Sequence, residues 1–135
     1  MASQQPSRKL KNYFEEGKIY ISPKTYAILK TNKPLSNAFA VIQDHKEITV
    51  VIEQEKMHGC GVISVEKGWK IITFDLVLPF ELVGFLAKVT TLFARAKISV
   101  FVLSSYSTDH ILVKDKDLIQ AIRVLKGLGF KKVKK

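Results

Sequence analysis

The chain has 135 residues, of which 47% are hydrophobic and 25% charged, enough for one ordinary domain or two very small ones and too apolar for wholesale disorder. A single cysteine, Cys60, rules out an internal disulfide framework and fits a reduced, cytoplasmic setting. No apolar run reaches the roughly 18 residues of a membrane span, and the polar start of the chain lacks the apolar stretch of a signal peptide.

Twenty-two Lys and Arg against twelve Asp and Glu give a formal charge of +10, which raises nucleic acid as a partner. Much of the excess sits at the ends, in Arg8, Lys9 and Lys11 and in Lys131, Lys132, Lys134 and Lys135. Solvated lysines of that kind serve solubility. Nucleic-acid binding is therefore expected to be at most weak and non-specific.

Residues 1–17 combine Gln, Ser, Pro and Lys without periodicity and read as a flexible basic arm. Residues 18–66 are short-patterned and β-like. Tyr20, Ile21, Tyr26, Ile28 and Leu29 lie either side of Pro23, and two apolar runs at 38–42 and 47–52 flank the polar Gln43, Asp44, His45 and Lys46 as a β-hairpin. Glycines at 59, 61 and 68 place the boundary between halves near 55–68, so that a second unit covers 67–135.

That second half is clearer. Residues 70–77 predict a strand, and Pro79 marks the turn that follows it. Leu82, Phe85, Leu86, Val89, Leu92, Phe93 and Ala96 recur at helical spacing, with Lys88, Thr91 and Arg95 on the opposite face. Residues 98–103 are apolar on both faces apart from Ser99, which predicts a central strand covered on both sides. Residues 109–113 are its neighbour.

Asp115 and Asp117 open a second helix, where a carboxylate can cap free N–H groups and meets the positive end of the dipole. Leu118, Ala121, Ile122 and Leu125 form its apolar stripe, Gly127 or Gly129 closes it, and residues 130–133 add a last strand. The order β-α-β-β-α-β predicts an α+β, ferredoxin-like fold with two helices on one face of an antiparallel sheet. It is preceded by a reduced, mostly β half.

Chemistry-bearing residues are few. The start of the first long helix offers free N–H groups and partial positive charge to an anion, and Gly84 there either admits a ligand to the backbone or relieves helix–strand crowding. Asp109 can pair with a ligand cation or fix its own turn. Ser99, if buried, needs a hydrogen-bond partner, and Tyr106 and Phe80 can wall a pocket or simply pack. His45, His58 and His110 have no metal-like spacing with Cys60 or with carboxylates, and Cys60 reads as an ordinary loop thiol. No cofactor and no catalytic constellation is indicated.

Residues 47–51, the Gly68-Trp69 pair, Gly84, Ile98-Ser99-Val100 and the pattern Ser104-x-Tyr106-x-Thr108-Asp109-x-x-Leu112-Val113 together resemble the small tandem ACT proteins. Their units recur in cytosolic arginine sensors and are related to aspartate kinase regulatory domains. The resemblance covers roughly residues 20–130 and implies a non-catalytic, amino-acid-binding regulatory or sensor protein. In that family the ligand lies between the loop leading into a helix and a facing strand. Carried onto this chain, the loop holds Phe80, Leu82, Val83 and Gly84, Ser99 and Val100 offer backbone groups, and Ser105, Tyr106, Thr108 and Asp109 line the turn. Side-by-side pairing of such units further implies a homodimer.

Two other functions share this topology. An RNA-recognition module needs stacking aromatics on its central strands, and residues 109–113 supply none. An acylphosphatase-like enzyme needs an arginine in the loop after its first strand, and residues 78–84 contain none.

Overall fold

The computed structural model describes residues 10–59, 61–79 and 82–134. One long strand organises them. β5 (Val62–Asp75) is rich in β-branched and aromatic residues and is paired along both edges. Its first part pairs with β2 (Tyr26–Thr31), and its second part carries β1 (Lys18–Ile21) on that same edge and β7 (Asp109–Lys114) on the other. β1 and β2 are thus one edge interrupted around Pro23, whose ring nitrogen has no proton to donate to the ladder.

Gly68 is not a boundary between halves. It lies within β5 at φ +82, where the register slips from Tyr26 opposite Trp69 to Ile28 opposite Glu66. One extra β5 residue is accommodated there, a bulge for which a positive φ favours glycine. The division at residue 66 therefore cuts through a continuous strand.

From β5 onward the chain follows the expected order: α2 (Phe85–Arg95), β6 (Phe101–Ser104), β7, α3 (Leu118–Leu128) and β8 (Lys132–Lys134). The fold is α+β and ferredoxin-like. β1, read from sequence as part of the first half, inserts into this sheet, antiparallel to β5 and parallel to β8. The resulting order is β6-β7-β5-β1-β8.

Three boundaries differ from the sequence expectation. The helix begins at Phe85 instead of Leu82, because Leu82 N–H closes a turn on Pro79 O at 3.0 Å. Residues 98–100 form a connection in which only Ile98 is buried, and β6 pairs with β7 alone. The strand predicted to be central is an edge, with Val102 partly exposed. Asp117 stands at the N-cap of α3 but makes no side-chain capping bond, so its contribution there is charge alone. Gly129 closes α3.

The helices cover one face of the sheet. Ile19, Ile72, Phe74, Ile111 and Val113 from the strands meet Phe85, Val89 and Phe93 of α2 and Ala121 and Leu125 of α3. A third helix joins them. Residues 10–16 are not part of a flexible arm: they form α1 (Leu10–Glu16), whose Tyr13 and Phe14 are buried in this core. Leu10, Tyr13 and Phe14 fall at i, i+3 and i+4, a helical stripe too short to stand alone in water but sufficient against a preformed core. Arm residues 1–9 lie outside the described residues.

The other face is covered by the first half. β4 (Ile48–Glu53) pairs with β2, and β3 (Ala40–Gln43) pairs with β4, with a 3₁₀ turn, Gln54–Lys56, as the helical content among this half's described residues. The hairpin turn is held by the Asp44 carboxylate, which accepts the Lys46 and Glu47 N–H groups at 2.8 and 2.9 Å and is thereby kept below the usual carboxylate pKa. Tyr26 and Val51 of this half pack together with Trp69, Ile71, Leu103 and Leu112. Phe39 stands edge-on to Tyr26 and to His110, with ring centroids 5.9 and 5.2 Å apart.

Candidate functional site

A cleft of about 310 Å³ opens where α2 begins, between the loop after β5 and the β6–β7 turn. Its apolar wall comes from Leu78, Pro79, Leu82, Phe85 and Leu86, and its polar rim from Ser104 through Asp109. Two backbone bonds shape it: Leu78 N–H donates to Ser107 O at 2.8 Å, tying loop to turn, and Ser105 N–H donates to Thr108 O at 2.8 Å, closing the turn.

Gly84 is the N-cap of α2 and takes φ +90, a conformation that L side chains rarely adopt. A Cβ there would meet only Leu10 Cδ2, at an ordinary 3.7 Å. The glycine therefore answers a backbone requirement and not crowding between helix and strand. It also means that no side chain caps the helix. The first helical bond runs from Lys88 N–H to Gly84 O, so the N–H groups of Phe85, Leu86 and Ala87, all lining the cleft, stand outside the helix's own ladder.

Opposite them, the Ser104 hydroxyl donates to Asp109 Oδ1 at 2.6 Å across the β6–β7 pair. Asp109 shares the helix-covered face of β7 with Ile111 and Val113, which is why its carboxylate borders the cleft. Among the described residues, the cleft thus sets a partial positive charge from the α2 dipole against the Asp109 carboxylate and a row of hydroxyls. An ampholyte with an anionic and a cationic end matches that polarity.

Of the residues singled out from sequence, the fold brings Leu82, Gly84, Ser105, Tyr106, Thr108 and Asp109 together around this cleft. Val83 does not join them; it is 84% exposed. Ser99 is exposed, so it needs no buried partner, and Val100 packs against the core beneath the helices. Neither lines the cleft. Phe80 and Cys60 lie outside the described residues. Sequence reasoning passed over Leu78, Leu86 and Ser104, and it missed His110, whose ring nitrogens bond Ser105 and Thr73. Leu86 belongs to the apolar stripe of the helix and lines the cleft as well. Among the described residues, no group of three or more His, Cys, Asp or Glu is gathered as a metal site.

Comparisons with known proteins agree with this architecture. Residues 64–127 match the family model described as the ACT domain. A Vibrio cholerae protein, described as of unknown function and a possible transport protein, is 26% identical with a TM-score of 0.73, over 89% of this chain and 95% of that one. An Agrobacterium tumefaciens protein is 22% identical with a TM-score of 0.74, over 87% and 91% of the two chains. The regulatory subunit of aspartate kinase from Thermus thermophilus shares the fold at 9% identity, with a TM-score of 0.61 over 85% of this chain and 97% of that one. No curated protein matches the chain in sequence. The match to the ACT-domain model begins within β5 and ends one residue short of the end of α3, and so takes in all the described residues that line the cleft.

Proposed function

We propose that this is a non-catalytic regulatory or sensor protein of the cytoplasm, which binds a free amino acid in the cleft at the start of α2 and works as a homodimer. The observation that carries the reading is the opposition, across a cleft of about 310 Å³, of an uncapped helix N-terminus and the Asp109 carboxylate. An α-carboxylate suits the first-turn N–H groups, an α-ammonium suits Asp109 with its hydroxyl neighbours, and the apolar wall suits a side chain. Regulatory subunits of aspartate kinase have the same fold, which supports a regulatory role. Val83, Ser99 and Val100 have no part in this version of the site.

RNA recognition on the same topology is disfavoured by packing. An RNA-recognition module stacks bases on the sheet face away from its helices. Here that face is buried under the first half, with Trp69, Ile71 and Leu112 inside the cluster.

The test is a thermal-shift screen of the common amino acids at about millimolar concentration. A ligand at about a hundredfold its Kd adds about 2.7 kcal/mol to native stability, a readily visible shift. If no amino acid moves the melt, the reading is wrong.

A further inference from the structure

The polar turn at the cleft is connected to the far face of the sheet through one side chain. His110 is 8% exposed, on the face of β7 away from the helices. Its Nε2 lies 2.7 Å from Ser105 Oγ at the cleft, and its Nδ1 lies 2.8 Å from Thr73 Oγ1 on β5. Phe39, from the first half, closes over it edge-on.

A neutral imidazole has one donor nitrogen and one acceptor nitrogen, so Ser105 and Thr73 cannot play the same part toward it. With Nδ1–H donating to Thr73, Nε2 accepts the Ser105 hydroxyl hydrogen, and Ser105 presents oxygen lone pairs to the cleft. An imidazolium donates from both nitrogens. Ser105 must then accept, and its own hydrogen is turned outward. In that tautomer the hydrogen-bonding polarity of a cleft hydroxyl follows the charge of a ring that does not line the cleft.

We propose that His110, as its Nδ1–H tautomer, is a positioning residue: while neutral it holds Ser105 as an acceptor for the ammonium group of a bound amino acid, so that binding weakens on acidification. The inference rests on the amino-acid reading of the cleft. Burial keeps the His110 pKa below its ordinary value, against the opposing pull of Asp109, so the ring is uncharged at neutral pH. Its neighbours across the sheet follow from the strand register. Across the sheet its row runs Lys134, Tyr20, Thr73, His110, Leu103, with Asp109 adjacent in the chain but on the helix-covered face.

Three measurements test this on the full chain. Calorimetry with each amino acid that binds is run at about pH 7 and about pH 5, where the ligand's own α-groups keep their charges. Affinity should fall by about fivefold or more in acid, with net proton release on binding at mildly acid pH, read from buffers of different ionisation enthalpy. His110→Gln should flatten that profile. Thr73→Val, remote from the cleft, should weaken binding at neutral pH by about fivefold, and Thr73→Ser should restore it. Proton release by the native chain decides the matter should a variant fail to fold.

Binding that is indifferent to pH, or tighter in acid, overturns the role of His110 and leaves the amino-acid reading standing. Native affinity in Thr73→Val also overturns it. Absence of binding at both pH values overturns both.

Discussion

Replacing Phe14 with alanine should destabilise the protein severely, although Phe14 lies in a stretch that looks like a tail. Its side chain is 4% exposed. The ring packs on Phe85 at a centroid distance of 5.3 Å and stands edge-on to Phe130 at 5.7 Å. Phe85 and Phe130 in turn contact Phe74 at 5.1 and 5.4 Å, so the truncation opens one side of a four-ring cluster in the middle of the core. Losing a buried phenyl costs about 3–5 kcal/mol once the residual cavity is counted, and loss of two aromatic pairings places this site toward the upper half of that range. A mobile arm would give less than about 0.5 kcal/mol.

Urea unfolding followed by circular dichroism separates these outcomes, with the midpoint falling and the slope unchanged. The consequence extends to the site, because Phe85 both receives the Phe14 ring and lines the cleft. Ligand affinity should therefore drop in Phe14→Ala even where the variant remains folded. A loss of stability below about 1 kcal/mol would refute the docking of α1 on Phe85 and Phe130.

Three further outcomes follow from the same geometry. Asp109→Ala should weaken amino-acid binding by about 10–100-fold, the worth of a charge-assisted hydrogen bond, while leaving the melting temperature of the free protein nearly unchanged; calorimetry and a melt check the two halves. Because the folded state lowers the His110 pKa, its contribution to stability is fully present above the unfolded value of 6.5 and is lost as pH falls through the folded value; urea midpoints across that window should show the loss, and His110→Gln should abolish it. Light scattering should report a dimer, since β6, β3 and β8 each pair on one edge only among the described residues and pairing between copies would satisfy an open edge; a monomer at tens of micromolar would count against it.

The order of elements from β5 to β8 was legible because each long element carries its own period. Seven apolar positions from Leu82 to Ala96 repeat at helical spacing, and the turn chemistry around Ser105–Asp109 separates two short strands. Local pattern determines element type, and here it also determined the fold class. Half of the cleft was legible for the same reason, since Gly84 and Asp109 belong to a loop before a helix and a turn between strands, both local features.

Pairing partners and burial were decided only in three dimensions. Nothing local in Lys18–Ile21 says that it will lie between β5 and β8, because an edge accepts any strand of suitable length and pattern. Residues 98–103 look central because apolar runs signal burial, yet Ile98 is buried as a connection and β6 lies at an edge. Leu10, Tyr13 and Phe14 are too short a stripe to form a helix alone and become one only where Phe85 and Phe130 await them. His110 reads as an isolated histidine in the chain, and what links it to the cleft is the turn that brings Ser105 back to it and the ladder that sets Thr73 at its side.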